Sequence, residues 1–231
     1  MKTVESRLHN ASPILKSCPS FSFKKGNDDI MVTDPWGSIF RLIVDSNSND
    51  DRGSQPGDKS LCVAMSDLCV HIPNDANIDG IGRFYKHVFN TPIITNTDTD
   101  SVQIVTSPKQ TLTFKKISNS NSKKIDHSDI RKEESGLEGN HGPHISMYIN
   151  DFTGSFHRAD ALGSLFVNYR FKRQATNLDE AIDQCMFRCL NVIDPDNIKD
   201  GPIIRLEHEV RSYITKDNKL YKSCPFYELP K

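Results

Sequence analysis

Apolar and polar residues alternate along several short stretches of this chain and recur at helical spacing along others. Ile78, Ile81, Phe84, Tyr85, Val88 and Phe89 fall on one stripe, which predicts a helix over 77–90. Residues 101–106 and 110–117 alternate strongly enough for two strands joined around Ser107-Pro108, with Thr111, Thr113 and Lys115 on the polar side. Near the start, Val4, Leu8, Ala11 and Leu15 predict a short helix within 4–16 that Pro13 interrupts. A hairpin of 20–24 and 29–33 around Gly26-Asn27-Asp28 follows, then an Asp-Pro-Trp-Gly turn with Trp36 packed in it, and a strand over 38–44. Further strands are expected over 61–72, 144–151, 165–171, 185–193 and 202–212. Helices are expected over 152–162 and, as a short insertion, 177–183.

The pattern repeats. VTDPWGSIFRLIV at 32–44 returns in longer form as VIDPDNIKDGPIIRLEHEVRS at 192–212, so Asp34-Pro35 matches Asp194-Pro195 and Arg41-Leu42 matches Arg205-Leu206. Asp before Pro is held out of the α region and Pro fixes φ, which makes each copy a turn between strands. A second pair, DLCVHIPND from Asp67 and HISMYIND from His144, sets Asp67 opposite His144 and His71 opposite Tyr148. Units of one strand, a helix and further strands cannot bury a sheet alone, so neighbouring units must share a core. The fold class expected is α+β, with repeated strand-helix-three-strand units. The opening of the later units has no counterpart before Val4, so the chain is expected to enter part-way through a repeat, as a fragment or a truncated product, with an unpaired sheet edge.

Two polar stretches punctuate this order. Residues 45–59 (DSNSNDDRGSQPGDK) contain no large apolar residue and read as a linker; 118–142 hold Ser, Asn, Lys, Glu and Gly and read as a mobile loop. The organisation expected is an incomplete first domain over 1–45, a linker over 46–60, a two-unit domain over 61–215 and an irregular tail over 216–231.

Composition narrows the function. With 231 residues, 36% of them hydrophobic and 26% charged, the chain is an ordinary globular protein. Its 29 Lys plus Arg nearly cancel 30 Asp plus Glu, so no positive face for nucleic acid or an anionic membrane is expected, and small molecules or proteins are the partners to look for. No apolar run approaches the roughly 20 residues that span a bilayer, and MKTVESRLHNASP has no secretory core, which points to the cytoplasm. The six cysteines include no Cys-x-x-Cys and read as free thiols, Cys185 and Cys189 sharing one strand face. Nucleophile-elbow, phosphate-loop and dinucleotide fingerprints are all missing from the sequence.

At these residues the chain resembles the vicinal oxygen chelate superfamily, the group of glyoxalases, bleomycin-resistance proteins and extradiol dioxygenases. Phe84-Tyr85 within GIGRFYKHVFNTPI is similar to that family's Phe-Tyr helix, and DPWGSIFRL is similar to its closing turn and strand. The resemblance covers 61–212 and treats 4–44 as the tail of an earlier unit. It implies paired βαβββ units whose sheets form a cup, with metal ligands from the first strand of each unit and from the closing strand. His144 matches the family's first-strand His. Asp67 stands where the other unit supplies its imidazole, and Arg205 where the closing strand carries its Glu; Glu207, two residues on, is on the same strand face and is the substitute. The implied metal set is therefore His144, Glu207 and Asp67, suited to Fe(II), Mn(II) or Mg(II), with Arg205, Tyr148 and His71 contacting substrate.

Three functions stay open at this point. One is a metal-dependent lyase or dioxygenase acting on a small oxygenated molecule. Another is a non-catalytic small-molecule-binding protein on the same fold, favoured by Asp67 and Arg205; the third is a truncated remnant. The alternating run Arg205, Glu207, Glu209, Arg211 also reads as a charged face whose members pair with one another. An incomplete first unit implies pairing with a second chain as a homodimer.

Overall fold

The computed structural model describes residues 2–44, 65–96, 100–117 and 144–221. The chain divides into two compact units, Met1–Met65 and Ser66–Lys231. The linker expected over 46–60, the loop over 118–142 and the end of the tail lie outside the described residues, as do Cys62 and Cys224.

The first unit runs α1 (Lys2–Ala11), β1 (Ser22–Lys25), β2 (Asp29–Thr33) and β3 (Ile39–Ile43), with the strands antiparallel in that order. Helix α1 ends two residues short of Pro13, and His9 stands edge-on to Phe23 at 4.9 Å. Ile30 and Val32 of the central strand are buried. In the turn before β3, one Asp34 carboxylate oxygen accepts the backbone N–H groups of Trp36 and Ser38, and Gly37 takes φ +93 to complete it. Trp36 does not pack there: it is 87% exposed, because the turn is held by Asp34 and leaves the indole no surface to cover. Ile39, Phe40 and Ile43 are exposed as well, and no described strand pairs with the outer edge of β3.

The second unit holds two copies of one design. The first module is β4 (Asp67–Ile72), α2 (Ile78–Phe89), β5 (Ile93–Asn96), β6 (Ser101–Ser107) and β7 (Gln110–Lys116), with strand order β4-β7-β6-β5 and β4 parallel to β7. The second is β8 (His144–Ile149), α3 (Phe152–Ala161), α4 (Leu178–Gln184), β9 (Met186–Ile193) and β10 (Pro202–Ser212), with order β8-β10-β9 and β8 parallel to β10. Leu165 bridges Cys189 in antiparallel fashion, just as β5 pairs β6 in the first copy. The registers correspond too: Asp67 faces Thr111 as His144 faces Glu207. The mixed α+β class read from the sequence is the class observed.

Alternation places the core. Val102 and Ile104 on β6 pair with Phe114 and Leu112 on β7, and all four are buried on the α2 side. Helix α2 starts where the Asn77 side chain accepts the Gly80 N–H and stops where Asn90 turns left-handed, φ 53. It approaches β6 so closely that a Cβ on Gly82 would lie 3.2 Å from Val102 Cγ2, tighter than ordinary van der Waals contact. Across the modules, Phe84, Tyr85 and Phe89 of α2 meet His208 of β10, so both copies share one apolar core.

Asp194 ties the modules together by hydrogen bonds. Its carboxylate accepts from Arg83 Nε at 2.9 Å and a terminal Arg83 nitrogen at 2.6 Å, and also from Asn77, Asn197 and the Asp196 N–H. Arg83 therefore holds this carboxyl far below the usual carboxylate range. Asp194→Ala is expected to cost about 3 kcal/mol in chemical denaturation at pH 7. A depressed folded-state pKa means the contribution is full above the unfolded value near 4 and fades only as pH falls further, so the gap between wild type and variant should narrow below about pH 4.

Some expected elements differ. The strand expected over 165–171 shrinks to the single Leu165 bridge, because Asn168 spends its side chain on the Arg170 N–H and on Glu207 instead of leaving the backbone free to form a ladder. Cys185 is not on a strand face with Cys189: it caps α4 in a left-handed conformation, φ 52. Short β5 goes beyond the elements expected from the pattern. The four described cysteines are free.

Candidate functional site

The side of the β8-β10-β9 sheet opposite α3 is polar, and the alternation of β10 makes it so. His208 and Val210 turn toward the helices, while Glu207, Glu209 and Arg211 point the other way. Parallel pairing sets His144 beside Glu207, and antiparallel pairing sets Arg188 of β9 beside Glu209. Parallel pairing of β10 with β8 makes Glu207, not Arg205, the neighbour of His144; against β9, Arg205 pairs with Asn191 and a register shift follows before His208.

At the centre lies Arg188, 4% exposed at its side chain. One terminal nitrogen pairs with Glu207 Oε1 and the other with Glu209 Oε2. Asn168 donates to the second Glu207 oxygen at 2.9 Å, and Arg211 Nε donates to the second Glu209 oxygen at 2.5 Å. The Phe171 ring covers the guanidinium at 4.2 Å, a cation–π contact. Its edge also meets the His144 ring at 5.9 Å, and His144 Nε2 stands 3.8 Å from Glu209. Burial alone would raise the Glu209 carboxyl; Arg188, Arg211 and His144 overcome that and hold it low. The charged run on β10 does pair within itself, through Glu209 and Arg211, but its main partner is Arg188.

Asp67 is elsewhere. It sits on β4 in the first module's sheet, exposed, with one oxygen accepting from Thr111 at 2.6 Å and Thr113 at 2.7 Å. His71 is exposed opposite Lys115, and Tyr148 is half-buried opposite Arg211.

A divalent metal on His144, Glu207 and Asp67 does not fit this arrangement. Glu207 is 2% exposed with both oxygens engaged, and one Asp67 oxygen already accepts from Thr111 and Thr113. Among the described residues no group of three or more His, Cys, Asp or Glu is placed to hold a metal ion. Arg188, Asn168 and Phe171 were not singled out in the sequence. The available signal was an arginine inside the apolar run Met-Phe-Arg-Cys-Leu. The buried Cys189 thiol is pushed up to about 12 by desolvation and is inert.

The helical side carries a separate groove of about 590 Å³, lined by Arg83, Lys86, His87 and Asn90 of α2, by Asp151 and Arg158, and by Pro195 and Asp196. Arg83 and Arg158 are already paired with Asp194 and Asp151. None of the residues named in the sequence as metal ligands or substrate contacts lines this groove.

No family model matches the chain, and no curated protein sequence does. Solved structures similar to it include a lactoylglutathione lyase from Agrobacterium tumefaciens, at 16% identity over 64% of this chain and 92% of that one, TM-score 0.34. A fosfomycin resistance protein, FosX, from Listeria monocytogenes aligns at 10% identity over 68% of this chain and 98% of that one, TM-score 0.35. A glyoxalase/bleomycin resistance protein/dioxygenase domain from a Frankia species aligns at 14% identity over 66% and 93%, TM-score 0.35. One FosX structure is described as complexed with Mn(II) and a dihydroxypropylphosphonic acid.

Proposed function

We infer that this chain is a small-molecule-binding protein on a glyoxalase-like scaffold that works without a bound metal. The observation that carries this reading is the Arg188 fork. Its guanidinium already neutralises both carboxylates that face His144, and Fe(II), Mn(II) or Mg(II) would have to displace a buried, doubly paired cation. The lyase or dioxygenase reading needs His144, Glu207 and Asp67 to converge on one ion, and among the described residues no group of three or more His, Cys, Asp or Glu is placed to hold one. Fold alone licenses no reaction.

The ligand surface in this reading is the polar side of the first module, where His71 lies across from Lys115 and Cys69 across from Thr113. An imidazole and an ammonium on one face suit a small oxygenated anion. Tyr148 and Arg205 are the second module's candidates for the same ligand class. A thermal-shift panel of hydroxy acids and diols tests this: at least one compound should raise Tm, and His71→Ala with Lys115→Ala should abolish the rise. A drop in Tm with EDTA, or metal-dependent turnover of an α-keto thiol adduct, would overturn the reading.

Free thiols at all four described cysteines support a cytoplasmic setting. The homodimer belongs to the same proposal, supported by exposed Ile39, Phe40 and Ile43 on an unblunted edge strand. Sedimentation equilibrium is expected to show reversible dimerisation that Phe40→Lys with Ile43→Lys shifts to monomer.

A further inference from the structure

The groove on the helical side of the second unit lies where the two modules meet. Arg83, Lys86 and His87 of α2 line it from the first module, and Arg158 of α3 lines it from the second. The two arginines are fixed before any ligand arrives. Arg83 gives Nε and one terminal nitrogen to Asp194; Arg158 gives Nε to the Val88 carbonyl and one terminal nitrogen to Asp151 and Ser155. Each keeps its other terminal nitrogen, Nη1, with no hydrogen bond among the described residues. Lys86 and His87 are exposed, and among the described residues neither makes a hydrogen bond or an ion pair.

We propose that this groove binds a small phosphorylated polyol, a sugar phosphate in size and polarity, across the seam between the modules. A phosphate group takes several fixed N–H donors and a local excess of positive charge. The free Nη1 of each arginine, the Lys86 ammonium and the His87 imidazole supply the donors. The lining sets the permanent cations Arg83, Lys86 and Arg158 against the carboxylates of Asp151 and Asp196, and Asp194 beneath Arg83 is buried. Lys86 is the cation with no carboxylate of its own, so the excess falls beside it. About 590 Å³ lies within the ordinary range for small-molecule sites and exceeds what a bare phosphate fills. The remainder of the ligand is hydroxylated: among the described lining residues Pro195 alone is apolar, while Asp151, Asp196 and Asn90 are exposed acceptors. This site is separate from the sheet face that carries His71 and Lys115, neither of which lines the groove.

The test is calorimetric titration of ribose 5-phosphate, inorganic phosphate and ribose into the full-length chain, as wild type, Lys86→Ala/His87→Ala and His71→Ala/Lys115→Ala. In His71→Ala/Lys115→Ala, where the groove is left intact, ribose 5-phosphate is expected to saturate at about one equivalent, with a Kd about tenfold or more below that of inorganic phosphate and no detectable binding of ribose. Lys86→Ala/His87→Ala changes exposed side chains and spares the Arg83 and Arg158 pairs, so its melt should match the wild type. Its affinity for ribose 5-phosphate should fall at least about tenfold, the loss of a charge-assisted contact. Undiminished binding in Lys86→Ala/His87→Ala, loss in His71→Ala/Lys115→Ala instead, ribose 5-phosphate no tighter than inorganic phosphate, or no saturable binding to the wild type overturns the inference. None of these outcomes bears on whether the wild type holds a metal.

Discussion

Glu207→Ala is expected to lower the unfolding free energy by about 3–5 kcal/mol, as removing one partner of a buried ion pair does. Glu207 is 2% exposed and meets Arg188 on one oxygen and Asn168 on the other, so truncation strands two buried donors at once. Glu209 remains to hold Arg188, but it already serves Arg211 and His144. The same physics gives an internal control. Arg188→Leu combined with Glu207→Leu removes both charges and fills the space, and should be markedly less damaging than the sum of the single changes. Urea denaturation of the two single variants and the double variant measures this coupling; additive losses would mean that the two side chains do not act as a pair.

A second large effect is expected on acidification. His208 is fully buried among Phe84, Tyr85 and Phe89, with the Tyr85 hydroxyl 2.5 Å from its Nε2. Desolvation lowers its pKa to about 4, the backbone of Leu206 and Cys189 opposing in part, while the buried Tyr85 hydroxyl is pushed well above its ordinary value. The unfolded chain binds this proton near pH 6.5 and the folded chain does not until about 4. Stability from a neutral His208 is therefore complete above about pH 6.5 and is lost as pH falls toward 4. A gap of about 2.5 units corresponds to about 3 kcal/mol. His208→Phe with Tyr85→Phe should flatten that acid slope between pH 6.5 and 4, measured by urea titrations at stepped pH. An unchanged slope in the double variant would place the acid sensitivity elsewhere.

Much of the fold was legible because it follows local rules. The α2 stripe, its flanking Asn77 and Asn90, and the alternation of β6 and β7 are patterns that side-chain direction alone enforces. The match of DLCVHI to HISMYI was legible as well: each strand opens its module and pairs in parallel with the module's last strand. What escaped depends on long-range partners. The register shift between Arg205 and His208 against β9 has no counterpart in the pairing of Ile39–Ile43 with β2, so the Arg-Leu match alone did not show which β10 residue stands beside His144. Arg188 looked like one charge in an apolar strand, and only β10 makes it a clamp. Asp194 was read as a turn residue; its hold on Arg83 of the other module is invisible until the helix docks. Asn168 was read as part of a strand, yet its side chain takes the backbone out of the ladder.

We propose that the Arg188 guanidinium, and no metal ion, balances the two carboxylates beside His144. The most direct measurement is the metal content of anaerobically purified wild-type protein beside His144→Ala and Glu207→Ala. Well below one equivalent of iron, manganese or any other divalent metal in the wild type is the expected result, with Arg188 as the resident cation. Near one equivalent in the wild type, lost in both variants, would contradict it and restore the metal-dependent lyase or dioxygenase.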